Sequence, residues 1–141
     1  MKKNTIIKSL TVAFLTLASV GCGSKSGTYT LSQSGNSYYS QCASVSLNLT
    51  DSSNTVQATG SNGVCTETLS GTDSGSAIVV TSFIITMTST TYSSTMPQCT
   101  YTGTLTESGN TFSGTLTSAT TSSSYYSSMC TPITIQGTKT N

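Results

Sequence analysis

The chain has no histidine, no arginine and no tryptophan, and only two prolines in 141 residues. Without histidine the commonest general base of enzymes is missing. No Ser-His-Asp triad can be assembled, so the many serines are composition and not nucleophiles. The expectation is a protein that is not an enzyme. Charged residues are also scarce, at 6 % of the chain. No basic patch exists for nucleic acid to grip. There is no Cys-x-x-Cys spacing either, so four-cysteine metal binding is not expected.

Hydroxyl groups are abundant instead. Serine (28) and threonine (30) dominate the composition. Such a bias fits a disordered, mucin-like stalk. Two features argue against that reading. Proline is rare, and apolar residues recur at every second position. Threonine is also β-branched and suits strands. The expected fold class is all-β, in one domain.

The alternation is plain at Val45, Leu47, Leu49 and at Tyr101, Gly103, Leu105. It recurs at Phe112, Gly114, Leu116 and at Ile133 and Ile135. Each run puts apolar side chains on one face and Ser or Thr on the other, as in a half-buried antiparallel strand. Residues 77–88 are apolar on both faces, which predicts the most buried strand. Short Asx- and Gly-rich segments at 51–54, 71–75 and 107–110 read as hairpin turns. The expected strands are 27–33, 42–50, 55–60, 64–70, 76–89, 98–106, 111–118 and 130–138. A weak internal repeat aligns Leu49–Val56 with Leu105–Phe112.

The N-terminus carries an address. Lys2, Lys3 and Lys8 precede an apolar run from Leu10 to Val20, which closes on Ser19-Val20-Gly21-Cys22. The run is too short for a permanent membrane span. A basic head and a small-residue end mark a removed targeting segment. Residues 1–22 resemble the lipobox of bacterial lipoproteins, although Ser19 stands where that family more often has Leu. The resemblance implies cleavage before Cys22, with a diacylglycerol on its thiol and an acyl chain on its new N-terminus. Several acyl chains hold a protein on a membrane where one is marginal. The implied division is a signal over 1–21, a lipidated tether over 22–26 and a β domain over 27–141. Gly23 is not the Asp that would argue against the outer membrane in enteric bacteria. The expected location is therefore the bacterial cell envelope, at the outer membrane, through the lipid anchor.

Lipidation of Cys22 leaves an even four cysteines, Cys42, Cys65, Cys99 and Cys130, in an oxidising compartment. Four allow three pairings. Cys42 with Cys65 is the natural local pair, which leaves Cys99 with Cys130. Each cysteine is expected at the start of an even-numbered strand. In an up-and-down meander the even strands run the same way, so all four would share one end. Eight strands suffice to close a small barrel. The layout is similar to lipocalin-like bacterial lipoproteins by topology alone. A two-sheet sandwich is the rival.

The long connections at the cysteine end carry Tyr38, Tyr39, Tyr92, Tyr125 and Tyr126. Tyrosine combines a rigid apolar face with a polar tip and stacks on sugars. These five are the expected ligand-binding residues, for a small apolar or glycan ligand. The alternative is a surface interaction protein, such as an adhesin or an enzyme inhibitor, with no small ligand. Tyr29 and Tyr101 read as core. Asp51, Asp73 and Glu107 fall in turns at the opposite, plain end and read as turn formers. Glu67 shares a strand face with Cys65 and Leu69, but a buried carboxylate is costly. A register slip or bulge that turns Glu67 outward is the expected solution.

Overall fold

The computed structural model describes residues 25–42, 44–88, 98–119 and 129–140. Eight strands follow one another in chain order: β1 (Gly27–Ser34), β2 (Ser44–Ser52), β3 (Thr55–Ser61), β4 (Cys65–Asp73), β5 (Ala77–Met87), β6 (Cys99–Ser108), β7 (Thr111–Ser118) and β8 (Ile133–Thr140). Each pairs antiparallel with the next, and β8 returns to β1, with Leu31 opposite Gly137. The result is a closed up-and-down barrel, not a sandwich. Closure leaves no strand edge for unwanted pairing.

The alternation in the sequence becomes the inside and the outside of this barrel. Val45, Leu47 and Leu49 of β2 point in, while Ser44, Ser46, Asn48 and Thr50 face water. The interior is filled by side chains. Leu31, Leu47, Leu69, Ile78, Phe83, Ile85, Tyr101, Leu105, Phe112, Leu116, Ile133 and Ile135 are all nearly inaccessible. Burying each such Leu, Ile or Phe contributes roughly 1.5–3 kcal/mol. The Tyr29 ring packs against Phe112 at a tilt of 44°, with centroids 5.0 Å apart. The Phe112 ring lies where a Cβ on Gly137 would be, so that glycine makes room for it.

One strand differs from expectation. β5 is not buried on both faces: Val79 is 40 % exposed and Ile84 is half-buried. A single-walled barrel has nothing to cover its outer face, however apolar the sequence. Register shifts lie between Ser70 and Gly71 against β5 and between Val80 and Phe83 against β6. Such irregularities add local twist.

The two ends differ. At the plain end the β2–β3 turn holds Ser53 and Asn54 at positive φ, as a two-residue type I′ hairpin requires. The repeated segments Leu49–Val56 and Leu105–Phe112 form the equivalent hairpins β2–β3 and β6–β7. At the other end, Cys65 and Cys99 begin strands as expected, but Cys42 and Cys130 do not. Cys42 closes a 3-10 helix over Ser37–Cys42 that the sequence reading took for open loop. Cys130 precedes β8 by three residues. Asn36 caps that helix: its side-chain oxygen accepts from the Tyr38 N–H at 2.9 Å and its carbonyl from Tyr39 N–H at 3.2 Å.

Candidate functional site

Two disulfides tie the elaborated end. Cys42 bonds Cys65, and Cys99 bonds Cys130, each with Cα atoms 5.6 Å apart. The first joins the entries of β2 and β4 across β3. The second joins the entries of β6 and β8 across β7. All four cysteines thus share one end, as the meander argument required.

Between the bridges the end is closed by side chains. Tyr39 turns inward and is 3 % exposed. Burial raises its hydroxyl pKa, and a backbone hydrogen bond with Cys99 offsets part of that rise. Tyr101 lies deeper, and burial pushes its phenol up to about 12. The Asn36 side-chain amide donates to the Tyr101 hydroxyl at 3.2 Å and to the Met129 carbonyl at 2.8 Å. One side chain therefore joins the first loop, β6 and the segment leading to Cys130.

Glu67 corrects the sequence reading. It faces inward and is fully buried. The β3–β4 ladder runs without a slip through Glu67, opposite Gly60, so no bulge turns it out. Gln33 of β1 reaches it across the barrel, its amide donating to Glu67 Oε1 at 3.1 Å and to the Cys42 carbonyl at 3.0 Å. Desolvation alone pushes the Glu67 carboxyl up to about 8.

Of the five tyrosines expected at this end, the structure presents Tyr38 to solvent and packs Tyr39 inside. Tyr92, Tyr125 and Tyr126 lie outside the described residues, as does Cys22. Tyr38 is surrounded along the chain by exposed, uncharged residues, Ser37, Ser40 and Gln41. Tyr29 and Tyr101 are core, as expected.

The plain end holds a second correction. Asp51, Asp73 and Glu107 are more than turn formers, because they gather around Lys25. The Lys25 ammonium donates to Asp73 Oδ1 at 2.6 Å, to the Gly75 carbonyl at 2.9 Å and to Glu107 Oε2 at 3.1 Å. Its backbone N–H reaches Asp51 Oδ2 at 3.4 Å, and its carbonyl accepts from the Tyr29 hydroxyl at 2.8 Å. Lys25 and Ser26, expected in the tether, are thus part of the folded end. Burial pulls the Lys25 pKa down, but the hydrogen bonds from its ammonium to Asp73 and Glu107 outweigh it and raise the net value. The hydrogen bond from Lys25, then that from the Gly75 N–H, lowers the Asp73 pKa.

Replacing Lys25 with Met should cost about 2 kcal/mol at pH 7, because a charge-assisted hydrogen-bond set is lost. Urea unfolding of both proteins checks this. Asp73 is depressed, so its contribution is present above the usual carboxyl value and is lost as pH falls through its folded value. The difference between Lys25→Met and the parent should therefore shrink at pH 2 to 3. An equal gap at both pH values would rule out the ion pair as its source.

Among the described residues no group of three or more His, Cys, Asp or Glu is placed to hold a metal ion. Sequence reasoning missed Gln33, Asn36 and Lys25. Asn36 had a signal, since Asn just before a helical turn is a cap. Gln33 and Lys25 had none, because their partners are 34 and 48 residues away. Compared with family models, curated proteins and solved structures, the chain matched none.

Proposed function

We propose that this chain is an envelope lipoprotein, lipid-anchored at Cys22, that works without catalysis as a binding module at its disulfide-tied end. The observation that carries this reading is the polarity of the barrel. The described residues begin at the plain end, where Lys25 is clamped, three positions after Cys22 in the sequence. Three residues span at most ~10 Å. A lipid on Cys22 would hold the plain end near the bilayer and turn the disulfide-tied end outward, towards ligands.

The filled interior favours a ligand met on the end face over an apolar one held inside. An exposed Tyr38 among serine and glutamine side chains suits a glycan, since the ring stacks on sugar faces and the neutral groups bond hydroxyls. The test is native mass spectrometry of protein extracted from its own envelope, followed by NMR titration with soluble peptidoglycan fragments. The expected mass is residues 22–141 plus acyl groups, less four hydrogens. Tyr38→Ser should weaken fragment binding roughly tenfold. Unlipidated protein would sink the anchor, and an unchanged affinity would sink the glycan face.

The filled interior also supports a second reading, a module for a protein partner. A photo-crosslinker at position 38 that captures one partner, with no shift on adding glycan, would favour it.

A further inference from the structure

Gln33 and Glu67 sit on β1 and β4, which are not neighbours in the sheet. Their contact therefore crosses the barrel interior. Two acceptors fix how the Gln33 amide is turned: its nitrogen must face the Cys42 carbonyl and Glu67 Oε1. Both amide hydrogens are then used. Two oxygens remain, Gln33 Oε1 and Glu67 Oε2, and both are buried with no hydrogen-bond partner. A carboxylate and an amide oxygen only accept, so neither can satisfy the other. One proton changes this. Placed on Glu67 Oε2, it makes that oxygen a donor and can pair both orphans at once.

We propose that Glu67 is carried as a neutral acid and closes a cyclic acid–amide pair with Gln33, a proton-dependent latch that holds the 3-10 helix onto the barrel end. Gln33 is the hinge of the latch, because the same amide holds the Cys42 carbonyl at the end of that helix. Among the described residues nothing offers Glu67 a counter-charge. Its ladder neighbours are Gly60 on β3 and Ile85 on β5. The helix brings Tyr39 and Cys42, and β6 brings Tyr101 and Cys99. Both phenols have raised pKa values and are neutral, and both cysteines are in disulfides. Lys25 lies at the plain end, 48 residues from its partner Asp73 and with no bond to Glu67. The carboxyl accordingly holds its proton up to about pH 8. The latch stands on these side chains alone, whatever the end face binds.

The pH dependence has a definite sign. The unfolded chain loses this proton near 4.5 and the folded chain near 8. Between those values the folded state holds more protons, so stability falls as pH rises. It is fully present below the lower value and lost through the upper one.

Glu67 and Glu107 are the only glutamates, so carboxyl-13C-glutamate labelling gives two NMR signals. The signal that vanishes in Glu67→Gln should remain protonated at pH 7 in the parent and titrate near 8. Titration of that signal below pH 6 would overturn the latch. In Glu67→Gln a second amide can form the same cyclic pair without a titrating proton. The melting temperature of the parent should fall by more than about 5 °C between pH 5 and 9, and that of Glu67→Gln should fall much less. An undiminished fall in the variant would also overturn it. If the variant does not fold, the isotope titration of the parent decides, with the signal that titrates at the higher pH assigned by contacts to Gln33. The Tyr38 and Tyr39 amide signals should move between pH 7 and 9 in the parent, and static signals would show that the pair does not hold the helix.

Discussion

Replacing Cys42, Cys65, Cys99 and Cys130 together with alanine should leave the barrel largely unfolded at 37 °C. The bridges close loops of 23 and 31 residues. In the chain-entropy model each restrains the unfolded state by about 3 to 4 kcal/mol. Their sum, roughly 7 kcal/mol, is comparable with the whole stability of a small domain, about 5–15 kcal/mol. The barrel has special need of them. Meander contacts are local between successive strands, but the closing β8–β1 pair joins the two ends of the domain, with Thr28 opposite Thr140. Closing so long a loop is entropically unfavourable. Each single-bridge variant should lose about half the total, because the bridges join different strand pairs and share no partner. Urea unfolding followed by circular dichroism measures all three. A four-alanine protein that keeps the barrel with less than about 2 kcal/mol lost would show that packing alone holds the fold.

Cutting Phe112 to alanine should cost about 3 to 5 kcal/mol, the usual range for a buried aromatic. Phe112 is 1 % exposed, packs against the tilted Tyr29 ring and fills the space beside Gly137. Gly137→Ala probes the same fit from the other side. A methyl there overlaps the ring, which must shift in a packed interior, so a loss of about 1–3 kcal/mol is expected. The two sites are coupled, and a smaller side chain should relieve the clash. In a Phe112→Leu background the added methyl should cost less than half as much. Equal costs in both backgrounds would show that strain at Gly137 has another source.

The fold was largely written in the alternation. Val45, Leu47 and Leu49 pointed inward, and the runs at 101–105, 112–116 and 133–135 did the same. The Asx- and Gly-rich turns separated them, although β4 runs on through Asp73, into the turn expected at 71–75. Strand direction placed all four cysteines at one end, since a meander returns every second strand there, and the pairing was read from Cys42 and Cys65 flanking the hairpin at 51–54, which left Cys99 with Cys130. Residues 77–88 misled because a run that is apolar on both faces usually signals two covered faces, and a single barrel wall has only one. Composition could not reveal that Val79 faces water.

The candidate site was less legible. Its end of the molecule could be named, and Tyr38 stands there exposed, but Tyr39 was diverted into the core by the 3-10 helix. Glu67 shows the limit most clearly. Periodicity placed it inside, and the cost of burying a carboxylate argued it out. That cost applies to the charged form, whereas a group whose folded pKa is about 8 is buried mostly neutral at pH 7. Lys25 shows the same limit at the other end: one lysine in a presumed tether became the centre of three acceptors.

By itself the sequence determined the strands, their inward faces, the end that holds the cysteines and the absence of histidine chemistry. Those properties are set by neighbours two residues apart or by composition. Only the tertiary structure decided that the barrel closes, that Gln33 meets Glu67 across its interior and that Lys25 anchors the plain end. Those contacts join residues 26 or more positions apart, and their energies depend on desolvation, which no local pattern encodes.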